Sequence, residues 1–132
     1  MPHKIYFRGS EIPVEITYKQ AMFDFKNMGL NLLKIFQDEK VIATILTDDE
    51  TMINLWFYYV QNHCSTLEDA ISDLTSEKMQ KFRDIFLDAV LGFINPQMRP
   101  ALKEIITMMK EELASPGEKL RKAYSVSSPE QE

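Results

Sequence analysis

Asp49-Glu50-Thr51-Met52-Ile53-Asn54-Leu55-Trp56-Phe57-Tyr58-Tyr59-Val60-Gln61-Asn62 is the stretch whose reading decides the fold. From Met52 to Val60 only Asn54 is polar. Ile53, Trp56, Phe57 and Val60 recur at helical spacing on one stripe, with Met52, Leu55 and Tyr59 on a second beside it. A helix apolar on this much of its perimeter sits at the centre of a core or lends one side to a partner. Its head carries Thr47 with Glu50, a capping-box pair, and the run Asp48-Asp49-Glu50. Carboxylates at a helix start are explained by capping and by the helix dipole, without any catalytic role.

Working outward, the same signals recur. Thr17 with Gln20 and Ser65 with Glu68, overlapped by Thr66 with Asp69, each precede an apolar run. A helix is expected over about 18–28, with Tyr18, Ala21, Met22, Phe25 and Met28 on one face. Gly29 then suits the left-handed position after a helix, with Leu30 placed for the contact that accompanies such a cap. Short helical pieces are expected around Leu32–Phe36, Val41–Leu46 and Leu67–Leu74. Thr75-Ser76 opens a long helix to Ile94, with Phe82, Ile85, Phe86, Ala89, Val90 and Phe93 at core spacing and Glu77 set to pair with Lys81. Trp56, Phe57, Phe82, Phe86 and Phe93 are expected to share one core. Asn95-Pro96 stops that helix, and a last one runs from about Gln97 to Ala114 with Pro100 in its first turn. At the other end, Lys4–Phe7 and Ile12–Ile16 read as strands around the turn Arg8-Gly9-Ser10-Glu11, with Pro13 marking an edge. The fold class is therefore mainly α: five to six helices in a single domain over 1–114, a short hairpin at about 4–16, and a mobile tail at 115–132.

Composition bounds the function. The 132 residues carry 15 Lys and Arg against 20 Asp and Glu, a net charge of −5, which argues against a nucleic-acid footprint. The longest apolar run, Leu55 to Val60, is far short of a bilayer span, and the first residues have no secretory apolar core. One cysteine, Cys64, excludes an internal disulfide and fits a reducing cytoplasm. His3 and His63 are the only histidines, and His63 and Cys64, as neighbours, diverge by about 100° on a helix. No ligand spacing for a metal and no glycine-rich phosphate loop is present, so neither catalytic residues nor a cofactor or metal are expected.

What remains is binding. The eight methionines either fill the core or grip varied apolar helices. Tyr58 lies off both stripes of its helix, as an interface tyrosine or as a lone surface one. Tyr58, Tyr59, Met52, Met108 and Met109 are the candidate partner-binding residues. An apolar surface of this kind also predicts homo-oligomers.

The stretch Ile5 to Val14, continuing through Ile16-Thr17-Tyr18 to Gly29-Leu30-Asn31-Leu32-Leu33, resembles the opening of the tail assembly chaperones of long-tailed bacteriophages. The aromatic helix at Leu55–Tyr59 and the Leu67-Glu68-Asp69-Ala70 helix are similar to the next two helices of that family, so the resemblance covers roughly residues 5–95. It implies a small protein of the host cytoplasm, absent from the finished virion, that keeps the tape measure protein soluble and helps recruit tail tube protein. The alternative reading is a small non-enzymatic helical adaptor or regulatory subunit docking one folded partner.

Overall fold

The computed structural model describes residues 3–114; the expected tail at 115–132 lies outside them. The chain is mainly helical with one short antiparallel hairpin at its start. By contacts within the chain it divides into two units, 1–99 and 100–132. The division falls just after Asn95-Pro96 ends one long helix, in the first turn of the next.

In the hairpin, β1 (Lys4–Phe7) pairs with β2 (Ser10–Pro13), Phe7 opposite Ser10 and Lys4 opposite Pro13. The turn is two residues, not the four expected, because Arg8 and Gly9 both take positive φ (51° and 83°). That backbone matches the natural strand twist. It closes the hairpin early, so β2 ends at Pro13 and not at Ile16. Ile5, Phe7, Ile12 and Val14 turn inward.

Thr17 and Gln20 form the reciprocal cap anticipated: the Gln20 N–H donates to Thr17 Oγ1 (3.2 Å) and the Thr17 N–H to Gln20 Oε1 (2.9 Å). The helix beyond is not a regular α-helix. Gln20–Asp24 is a π-helical turn, followed by α1 (Phe25–Asn27). The wider turn breaks the 3.6-residue stripe: Ala21 and Phe25 are buried, but Tyr18 and Met22 point outward. Gly29 (φ 86°) ends it, with the Leu30 N–H on Phe25 O (2.9 Å) and the Gly29 N–H on Lys26 O (3.0 Å).

A 3₁₀ turn at Leu32–Lys34 leads to α2 (Lys40–Thr47), α3 (Asp49–Val60), α4 (Leu67–Ile71) and α5 (Ser76–Phe93). Asp48, not Thr47, caps α3, accepting from the Thr51 N–H and hydroxyl; Thr47 instead donates to Ala43 O. At α4 the overlapping variant forms, Asp69 N–H to Thr66 Oγ1 at 3.1 Å. Thr75 caps α5 as expected. Beyond a 3₁₀ turn at Pro96–Met98, α6 spans Arg99–Ala114.

The core of the first unit is a relay of rings: Phe7 on Trp56 (6.0 Å), Trp56 on Phe82 (5.4 Å), Phe82 on Phe86 (6.1 Å) and Phe86 on Phe25 (5.8 Å). It ties hairpin, α3, α5 and α1 together, each pair adding roughly 0.5–1.5 kcal/mol beyond its burial. Phe57 and Phe93, expected in the same core, are only half-buried, and Phe93 packs against the exposed Tyr18 ring at 4.9 Å.

Candidate functional site

The predicted binding residues differ in exposure and in their partners. Met52 is fully buried in α3, on an inward face it shares with Leu55, Trp56 and Val60, and so is no contact residue. Tyr58 and Tyr59 are half-buried and engaged within the chain. The Tyr58 hydroxyl donates to Asp24 Oδ2 (2.6 Å) and accepts from Gln20 Nε2 (3.3 Å). The Tyr59 hydroxyl donates to Glu15 O (3.1 Å). The Phe25 ring meets that of Tyr58 edge-on at 5.4 Å. Burial, and for Tyr58 then the Asp24 carboxylate, raises the pKa of both phenols. Both rings thus fasten residues 15–25 onto α3. They line a shallow polar hollow of about 470 Å³ with Glu15, Gln20 and His63. Met108 is exposed and Met109 half-buried on α6.

The remaining polar candidates are explained locally. The Cys64 thiol donates to Val60 O at the end of α3 (3.5 Å), and His63 is exposed. Asp48 caps α3 and Asp49 pairs with Arg83. Among the described residues no group of three or more His, Cys, Asp or Glu side chains is placed to hold a metal ion. No helix of the described residues is long and apolar enough to cross a membrane.

Sequence reasoning missed three features. The first is Arg83, buried at 7% exposure. Its Nε donates to Ile45 O (2.8 Å), Nη1 to Gln80 Oε1 (3.0 Å) and Nη2 to Asp49 (2.5 Å), which joins α5 to the end of α2 and the start of α3. Only its odd position among the polar residues of α5 hinted at this. The second is a set of exposed apolar side chains around the π-helical turn: Tyr18 (72%), Met22 (54%) and Phe23 (57%).

The third is a half-enclosed cleft of about 620 Å³ between β1 and α5. Phe7, Trp56, Phe82 and Ile85 line its apolar part, and the consecutive residues Lys4 to Arg8 line one side. Its rim holds Lys4, Arg8, Lys78 and Lys81 against a single carboxylate residue, Asp73. Lys4 pairs with Glu11 at 3.0 Å, which raises the lysine's pKa and lowers the glutamate's. Arg8 grips Asp69 with both ends of its fork (2.7 and 3.1 Å) and holds that carboxyl below its ordinary range. Among the described residues Lys78 reaches only the Asp73 carbonyl (3.2 Å), and the expected Glu77–Lys81 pair does not form. No contiguous pattern along the chain announces the cleft, because its residues come from four separate segments.

In comparison with known proteins, the chain matches no family model, no curated protein and no solved structure.

Proposed function

We propose that this protein is a non-enzymatic chaperone of tail assembly in long-tailed bacteriophages, holding the tape measure protein in the host cytoplasm until tail tube protein polymerises around it. The observation that carries the reading is the group Tyr18, Met22 and Phe23, large apolar side chains more than half exposed inside the stretch that bears the family resemblance. A holdase has to grip apolar helices adaptably and let them go, and mixed Met and aromatic surfaces suit that task. The net charge of −5 favours keeping such a complex in solution. Release comes from competition by the growing tube, with no nucleotide involved.

The test is light scattering on the full chain, alone and with soluble fragments of a tape measure protein. Homo-oligomers are expected, converting to a mixed complex as the fragment is added. Tyr18→Glu and Phe23→Glu should weaken both associations and leave the circular dichroism spectrum unchanged. A strict monomer at ~100 μM with no affinity for any tape-measure fragment overturns the proposal; the adaptor reading would then stand.

A further inference from the structure

The cleft between β1 and α5 has a property its lining alone does not convey: one of its walls is an unpaired strand edge. In a hairpin closed by a two-residue turn, the residues flanking the turn form a hydrogen-bonded pair and the pattern alternates from there. Phe7 with Ser10 and Ile5 with Ile12 are therefore the bonded pairs. Lys4 with Pro13 and Tyr6 with Glu11 are the non-bonded ones, in keeping with the missing N–H of Pro13. The amides and carbonyls of Lys4 and Tyr6 thus point away from β2, and among the described residues none of them has a backbone or side-chain partner. Both the inward residues Ile5 and Phe7 and the outward residues Lys4 and Tyr6 line the cleft, which places it at the strand's open edge. Short edges flanked by charge are ordinarily left to water. This one faces Trp56, Phe82 and Ile85 instead.

We infer that the cleft binds an extended peptide in which apolar residues alternate with Asp or Glu, added as a third strand on β1. At about 3.4 Å per residue, the edge from Lys4 to Arg8 accommodates some four or five residues. Strand addition supplies the main-chain hydrogen bonds, and alternate side chains supply the selectivity. Side chains on the Ile5 and Phe7 face meet Trp56 and Phe82; those on the other face lie beside Lys4. Lys78 and Lys81, on the opposite wall, have no carboxylate partner among the described residues, although the chain as a whole is acidic. That charge arrangement selects an acidic peptide over a basic one. The proposal stands apart from the chaperone reading, because Tyr18, Met22 and Phe23 take no part in it.

Trp56 is the only tryptophan and lines the cleft, so its fluorescence reports occupancy directly. The probes are an acetylated and amidated octapeptide alternating Val with Glu and its counterpart alternating Val with Lys, titrated into the full chain at low salt. The acidic peptide should shift Trp56 emission saturably and slow hydrogen exchange at the Lys4 and Tyr6 amides, while the basic one does neither. The double substitution Lys78→Glu with Lys81→Glu, at exposed positions, should weaken binding about tenfold. N-methylating one alternate set of peptide amides should abolish binding, and methylating the other set should leave it. Failure of the acidic peptide to bind at ~1 mM, equal binding of the basic peptide, or the same response to both methylated sets overturns the inference.

Discussion

Replacing Arg83 by methionine isolates what a buried guanidinium does here, because methionine keeps much of the apolar stem and removes the charge. Three donors are lost. Ile45 O lies in the last turn of α2, where carbonyls lack a partner within the helix, and Arg83 Nε supplies one at 2.8 Å. Stranding that acceptor costs about 1–3 kcal/mol. The Gln80 bond adds roughly 0.5–1 kcal/mol. The Asp49 pair adds less than its short distance suggests: the Asp49 side chain is 74% exposed, so water and salt screen it to about 0–1 kcal/mol. Overlap among the three brings the expected loss to about 2–4 kcal/mol, or roughly 10–20 °C in Tm for a domain of this size. Urea unfolding monitored by circular dichroism should show a lower midpoint at an unchanged slope. Asp49→Ala should cost no more than about 1 kcal/mol, which separates the carbonyl from the ion pair. An Arg83→Met loss below about 0.5 kcal/mol, or one matched by Asp49→Ala, would refute the assignment of stability to the Ile45 carbonyl.

Other expectations rest on single observations. Phe86 is fully buried between Phe25 and Phe82, so Phe86→Ala should cost about 3–5 kcal/mol; a Tm within a degree or two of the parent would place its ring at the surface. A Cβ at Gly29 would meet nothing within 4 Å, so the roughly 1–2 kcal/mol lost in Gly29→Ala should come from its φ of 86° alone, and Gly29→Asn should recover part of it. The Arg8 fork lowers the Asp69 pKa, so this pair stabilises the fold above the ordinary carboxylate pKa and is lost as pH falls through the depressed value. Arg8→Ala should move the Asp69 carboxyl resonance back toward the ordinary range in an NMR pH titration, and an unmoved titration would contradict the pairing.

The sequence by itself determined what short-range chemistry specifies. The Thr17–Gln20 box, the left-handed Gly29 with Leu30 behind it, the Thr75 cap and the stop at Asn95-Pro96 each need only residues within five positions, and each stands where its local signal lies. Helix content and the terminal hairpin arise from the same local signals. Where two local signals competed, spacing was insufficient: Asp48 outcompeted Thr47 for the cap of α3, and a π-helical turn displaced Tyr18 and Met22 from the face that 3.6-residue periodicity assigned them. Only the tertiary structure decided which residues of the aromatic helix faced inward, taking Met52 and Leu55 from one stripe and Trp56 and Val60 from the other, and it engaged the Tyr58 and Tyr59 hydroxyls with residues 34 and 44 positions away. It alone joined Arg83 to Ile45 across 38 positions and assembled the cleft from β1 and its turn, α3, α4 with the turn that follows it, and α5. The physical reason is that caps and turns satisfy backbone groups within one turn of chain, whereas the burial of a side chain depends on neighbours that the packing of distant elements brings to it.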